Sequence, residues 1–367
     1  MFIYHSANLM RTAHSDEIKM MHLYLFTWIL VYCVHSDFVV ALNAPYSTPV
    51  HTLLLLRHGD SVWNGGEPGT NERFTGWTDV GLSRKGRSEA EVAAEQIASY
   101  AYKIDVLFVS TLKRAQDTAS SCLAAKPNIP FRIVDYRLNE RHYGALQGYV
   151  KQEVEDGKYG HDEEQVTEWR RSWHAVPPLL SDSDPRRIQE VQQWAKLCGG
   201  EDRVPRGESL QMVARNRAKP FLKEVIAPRL DYISKLNNRR HGATGLVVAH
   251  ANSLRALIGV ICNVEGDSSA LKILESLKIP TGIPLVLNFQ RTPKGTFHVC
   301  EVPEAEECVV DYLDGFGPPQ TPPTDLGHPC LPVWPLNKCT PVQSLFDKNI
   351  RFSKLETPEE CLSLNLA

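Results

Sequence analysis

The chain has 367 residues, of which 43% are hydrophobic and 23% charged, with a formal net charge of -3. This composition accommodates one large α/β domain with extensions and a sizeable buried core. The near-neutral balance carries no global signature of nucleic-acid binding, so any affinity for anions has to come from local basic clusters.

Near the N-terminus, Leu23 to Val34 form an apolar run that is short for a bilayer span but suits the core of a signal peptide. Lys19 precedes it, Ala41-Leu42-Asn43-Ala44 resembles a small-residue cleavage site, and Met20 or Met21 could be the start. Residues 1–50 are therefore expected to be a targeting segment and spacer, with an uncleaved anchor or a buried helix as alternatives. The expected location is the secretory pathway or an organelle, and otherwise the cytoplasm; membrane contact is expected only if the segment is retained.

Residues 51–300 read as a catalytic domain. Thr52 to Leu56 is a continuous apolar run of the kind that forms a buried parallel strand. Ser83 opens a helical pattern with Ala90, Ala93, Ala94, Ile97 and Ala98 on one face. Ile104 to Val109 is a second strand, followed by a helix from Leu112 to Ala125. Leu246 to Ala249 is another buried strand running into a helix from Asn252 to Val260, and Pro284 to Phe289 is a later strand. The alternation predicts a three-layer α/β sandwich, a mostly parallel sheet with helices on both faces. Ligands of such sheets gather at the carboxyl ends of the strands.

Residues 301–367 form an extension rich in Pro, Gly and acidic residues over its first part, including the run PPQTPP at 318–323. Nine cysteines are present and none forms a CxxC pair, which argues against a zinc site. Five of them fall from Cys300 onward and could pair in an oxidising compartment; the sequence leaves the pairing open.

The chemistry-bearing residues follow the strands. Arg57-His58-Gly59-Asp60-Ser61-Val62-Trp63-Asn64 follows the first, Ser110-Thr111-Leu112-Lys113-Arg114 the second, and His250-Ala251-Asn252-Ser253 a third. Parallel strands open their ends onto one edge, so His58, Arg57, Arg114 and His250 are expected to make one basic pocket. Imidazole is a competent nucleophile near neutral pH, and Arg forks match phosphoryl oxygens.

These blocks, with Phe74-Thr75-Gly76-Trp77, the run Leu138 to Gly148 (LNERHYGALQG), Trp169-Arg170-Arg171 and Ile279 to Val286 (IPTGIPLV), resemble the cofactor-dependent phosphoglycerate mutases of the histidine phosphatase superfamily. The resemblance runs collinearly over residues 52–292. It implies that His58 accepts the phosphoryl group, that Arg57, Arg114 and His250 neutralise its charge, and that Glu140 is the general acid/base. It further implies that Asn64, Thr75 and Gly76 line the phosphate end of the substrate, and that Tyr143, Lys151, Arg170 and Arg171 hold a carboxylate and a second phosphate. Asp60, Ser61, Arg141, Ala251 and Asn252 complete the expected binding set. The implied primer is 2,3-bisphosphoglycerate with no metal; the implied ligands are small phosphorylated sugar acids, with no nucleic acid, on a homo-oligomer (dimer or tetramer).

A mutase needs a second anion site that a simple phosphatase does not, and Lys151 with Arg170-Arg171 supplies it. The expected reaction is interconversion of 3-phosphoglycerate and 2-phosphoglycerate. A phosphatase acting on a small phosphoester, or a weakly active phosphoester-binding protein, is the alternative. His142 is expected to support its loop, His161, His174 and His241 to be solvated, Trp63 and Trp77 to pack around the pocket, and Thr281-Gly282 to form a turn. Three departures from the family pattern stand out: Asp60 for the usual Glu, Ala251 for the usual Gly, and a longer loop from Gly65 to Glu72. An added Cβ at Ala251 would cost stability if the backbone there required a positive φ.

Overall fold

The computed structural model describes residues 49–99, 103–237, 242–292 and 295–299. The expected targeting segment and C-terminal extension, six of the nine cysteines (33, 300, 308, 330, 339 and 361) and His241 lie outside them.

Strand β1 (Val50–Arg57) sits inside a six-stranded sheet of order β3-β2-β4-β1-β5-β6, with β2 at Val106–Val109, β3 at Arg132–Val134, β4 at Thr244–Ala249, β5 at Pro284–Arg291 and β6 at Phe297–Val299. The four strands from β3 to β1 are parallel, and β5 and β6 add on antiparallel. Side-chain alternation explains why β1 reads as a continuous apolar run. Leu53 and Leu55 enter the core on one face, Leu54 and Leu56 the core on the other, and all four are fully buried. Helices α1 (Arg84–Ser99) and α2 (Lys113–Ala125) cover the second face. A long helix α6 (residues 210–236) and α7 (Ala251–Ile261) cover the first. The three-layer α/β sandwich is as expected.

Helices α3 (Lys151–Glu155), α4 (Glu163–Arg171), α5 (Pro185–Cys198) and α8 (Ser268–Ser276) lie outside this alternation. Helix α4 begins with a capping box between Asp162 and Gln165, and α5 with Asp184 before Pro185. In α6, Pro220 and Pro228 stand where a proline ring would strike the carbonyls four residues earlier. Those carbonyls belong to the middle residues of two π segments, Ala214–Ala218 and Leu222–Ile226, where the wider turn opens the hydrogen-bond ladder.

Ser83 precedes α1 and caps it, its Oγ accepting the Gly86 N–H at 3.0 Å. The first turn of α1 presses onto the segment after β1 at two glycines. A Cβ on Gly59 would come within 2.1 Å of the Gly86 carbonyl oxygen, and one on Gly86 within 1.7 Å of the Asp60 carbonyl oxygen. In an open helix Gly→Ala would stabilise by roughly 1 kcal/mol. Here the obstacle is backbone, and overpacking costs about 1–3 kcal/mol or more. Gly86→Ala should therefore lower the urea midpoint; an unchanged or raised midpoint would show that the first turn of α1 can lift off the His58 segment without penalty.

Candidate active site

Adjacent strands β2, β4 and β1 end on the same edge and deliver Ser110, His250 and His58 side by side. The two imidazoles are buried with ring centroids 4.8 Å apart. His58 Nδ1 lies 2.6 Å from the Gly59 carbonyl oxygen, which can only accept, so the ring proton sits on Nδ1 and Nε2 keeps its lone pair. Arg114 Nε–H donates to that Nε2 at 3.2 Å, while its other nitrogens donate to the carbonyls of Gly76 (2.9 Å) and Thr78 (3.1 Å). Burial first, and then the charges of Arg114 and Arg57, hold His58 well below the ordinary imidazole range. It is therefore a neutral imidazole at pH 7. Burial lowers Arg114 itself to about 10, so it stays charged.

His250 is also held low, by burial and by Arg114. Its Nε2 is 2.8 Å from the Ser110 hydroxyl, and its Nδ1 has no protein partner. The Ser110 hydroxyl also reaches Asn139 Oδ1 at 2.8 Å, but that oxygen already receives the Thr111 N–H (3.1 Å) and hydroxyl (2.7 Å). Two donors fill the two lone pairs of a carbonyl oxygen. Ser110 then gives its proton to His250 Nε2, which leaves Nδ1 to carry the N–H. Ser110 was visible as a strand-end residue, but only its contacts reveal this role.

Glu140 is anchored by one oxygen, Oε1, which accepts the N–H groups of Arg141 (2.8 Å) and Asn252 (3.2 Å). That leaves its other oxygen available to a group in the cavity that Glu140 lines. The loop beneath it is clamped by Arg217 from the first π segment of α6. Arg217 pairs with Glu208 at 2.7 and 2.9 Å and donates to the carbonyls of Asn139 (2.6 Å) and Glu140 (3.2 Å). Trp77 Nε1–H donates to the same Glu140 carbonyl at 2.7 Å, so the packing tryptophan expected from sequence also fixes the Glu140 loop. His142 supports its loop as expected, between Glu190 (2.9 Å) and the Gly144 N–H (2.9 Å). The sequence offered no signal for Arg217 and Glu208.

A cavity of about 640 Å³ opens over His58, Arg114 and Glu140, lined by nine Arg and Lys side chains against three Glu side chains, while His250, expected in the same pocket, is fully buried and is not part of its lining. His58, Arg57, Ser61, Asn64, Thr75, Gly76, Arg114, Glu140, Tyr143, Lys151, Arg170, Arg171, Ala251 and Asn252 all line it. Lys85, Arg255 and Lys278 line it too, and the sequence reading had not singled them out. Gly76 needs its glycine: φ is +51° and a Cβ would sit 1.9 Å from Gln147 Oε1. Burial raises the Tyr143 phenol, but Arg141, whose guanidinium lies over its ring at 4.7 Å, and Lys151 bring it below its ordinary value.

Two expected binding residues turn elsewhere. The Asp60 carboxylate accepts from the Ser83 hydroxyl at 2.6 Å, which ties the His58 segment to α1 rather than to a ligand. The buried Arg141 lies under Tyr143 and donates to the Arg170 carbonyl at 3.0 Å, acting behind the cavity wall. Ala251 is the first residue of α7 and has no positive φ, so its Cβ carries no backbone strain. Thr281 and Gly282 continue beside β1 through Gly282 N–H to the Arg57 carbonyl (3.1 Å), and Thr281 lines the cavity. His161 stacks edge-on against Trp169, and His174 is exposed.

Residues 53–182 match the family described as histidine phosphatase superfamily (branch 1). Two proteins named 2,3-bisphosphoglycerate-dependent phosphoglycerate mutase, from Corynebacterium diphtheriae and Corynebacterium kroppenstedtii, are each 40% identical over 251 residues, or 67% of this chain and 90% of theirs. Among solved structures, a mycobacterial glucosyl-3-phosphoglycerate phosphatase is similar over 68% of this chain and 97% of its own, at 22% identity and a TM-score of 0.48.

Both imidazoles titrate lower in the folded chain than in the unfolded one, so the unfolded chain takes up their protons first as pH falls. The stability they contribute is complete above about pH 6.5 and is lost below it, at about 1.4 kcal/mol per pH unit for each ring. Unfolding free energy measured between pH 5 and pH 7 should be less steep in His250→Gln than in the wild type by about one such increment. Equal slopes would place His250 among ordinary solvated histidines. Ser110→Ala should leave the fold intact and slow phosphorylation of His58 by about tenfold to a hundredfold, the loss of one buried hydrogen bond to His250. Rapid-quench kinetics showing an unchanged rate would remove Ser110 from the machinery.

Proposed function

We propose that this chain, which belongs to the 2,3-bisphosphoglycerate-dependent phosphoglycerate mutases of the histidine phosphatase superfamily, interconverts 3-phosphoglycerate and 2-phosphoglycerate through a phosphohistidine on His58. The observation that carries this reading is the cationic wall of Lys151, Arg170 and Arg171, which lines the same cavity as His58. Hydrolysis of one phosphoester requires a single anion site. Keeping a bisphosphorylated acid while it turns round requires two. The excess of basic side chains in the cavity suits such a polyanion.

The primer, 2,3-bisphosphoglycerate, supplies the phosphoryl group that first loads His58. From that state the substrate's free hydroxyl gives its proton to Glu140 as its oxygen bonds to phosphorus and the phosphorus–Nε2 bond breaks. In the opposite sense, Nε2 attacks the other phosphate, its ester bond breaks, and Glu140 returns the proton to the departing oxygen. Arg57, Arg114 and the Nδ1–H of His250 face the charge on the transferring oxygens, which is the main stabilisation phosphoryl transfer needs. His58 Nδ1, held by the Gly59 carbonyl, keeps the ring oriented in both directions. The same chemistry needs no metal, and activity is expected to survive EDTA.

A coupled assay with and without primer tests the reading, alongside trapping of labelled enzyme. Isomerisation should depend on primer, and an acid-labile, base-stable phosphoryl adduct should form on His58 and be absent in His58→Ala. Lys151→Ala should raise the ratio of hydrolysis to isomerisation. Primer-independent hydrolysis without isomerisation would make the chain a phosphatase instead.

A further inference from the structure

The long loop between the His58 segment and the Phe74 turn carries Glu72, and Glu72 is ion-paired with Lys151. Lys151 is largely buried at 15% exposure, while Glu72 is 43% exposed at the mouth of the cavity. Arg170 is paired as well, with Glu155 at 2.6 Å. The two carboxylates differ in position. Glu155 does not line the cavity and backs Arg170 from behind, whereas Glu72 lines the cavity beside the cation it neutralises. An anion arriving at Lys151 therefore meets a carboxylate already in place.

The loop is pinned on both sides of Glu72. Glu67 accepts the Arg84 and Lys85 N–H groups at the start of α1, at 2.5 and 3.3 Å. Arg73 donates to the Gly148 carbonyl at 2.8 Å, and the Lys151 N–H donates to the Glu72 carbonyl at 2.8 Å. The backbone thus stays put, and the Glu72 side chain alone has to rotate outward for a ligand to reach Lys151.

We propose that Glu72 is an internal competitor for the second anion site: a resident carboxylate on Lys151 that a ligand must displace, setting the site's preference for the most highly charged ligand. The inference rests on the mutase reading, since it concerns that reading's second anion site. A phosphate dianion outcompetes one carboxylate at a point charge, and a ligand with two phosphates does so while remaining held at His58. A singly phosphorylated product, facing the returning carboxylate, is released more readily. Glu72 is a specificity-determining residue on this view, since it touches a binding group and takes no part in bond making.

The test measures equilibrium binding of 2,3-bisphosphoglycerate, by calorimetry, to full-length His58→Ala protein with and without Glu72→Gln, at low and high salt; the His58 change prevents turnover. Glu72→Gln should tighten binding about two- to fivefold, the range a partly exposed ion pair allows, and the gain should shrink in 0.5 M salt. Glu72→Asp, with the charge retained on a shorter stem, should fall between the two. A purely structural Glu72 predicts weaker binding or none once its ion pair is lost. Weaker, absent or unchanged binding in Glu72→Gln would overturn the proposal even if the wild type isomerises phosphoglycerate. Tighter binding in a chain that proves to hydrolyse without isomerising would uphold Glu72 and sink the mutase reading.

Discussion

Everything at the cavity floor depends on the burial of one guanidinium. Arg114 is 1% exposed and has no ion-pair partner within bonding distance among the described residues. A buried cation is tolerable only if its donors are met, and Arg114 meets them with two carbonyls and an imidazole lone pair. That requirement bends the turn through Gly76 and Thr78 towards α2 and holds His58 Nε2 in a fixed direction. The same charge adds to burial in keeping protons off both imidazoles. The orientation of His58, part of its protonation state and the shape of the turn beside it thus share one source in this buried charge.

A buried ion pair does for the Glu140 loop what Arg114 does for His58. Arg217 and Glu208 are each 5% exposed and are matched in two hydrogen bonds, and their spare capacity goes to the backbone of residues 139–142. The helix that brings Arg217 is interrupted by two prolines and relaxes into π turns, one of which contains Arg217 itself. Breaking such a pair from one side strands the other charge, so the loop beneath Glu140 has little freedom to drift.

The parts of this protein legible in its sequence are those dictated by short-range periodicity. Leu53 to Leu56 reads as a two-sided buried strand because it is one, and the polar residues after β1, β2 and β4 then have to share an edge. Strands β3 and β6 have three residues each, too few to show alternation, and were not read. Of the site, most of the residues that line the cavity are legible from motif and strand end. Asp60 belongs to the motif after β1 and is expected in the cavity, yet its carboxylate turns to the Ser83 hydroxyl. Of the supports, Arg217 and Glu190 lie on helices and Glu208 in the loop before α6, and no local pattern encodes their register against a distant loop. Glu72 was noticed only as part of a long loop, and its meaning comes from Lys151, to which no spacing rule connects it.

Strand β1 also imposes an order in time. Both of its neighbours, β4 and β5, are encoded far downstream, and Leu54 pairs with Leu246 on one side and Val286 on the other. Contacts of such long sequence separation form late, because the intervening loop must close before they are rewarded. During synthesis, then, the β1 segment with its four consecutive leucines emerges early and waits without a sheet to join. His58, near the front of the domain, acquires Arg114 and its facing imidazole only once β4 is in place. It is among the first residues of the site to be made and among the last to have its surroundings completed.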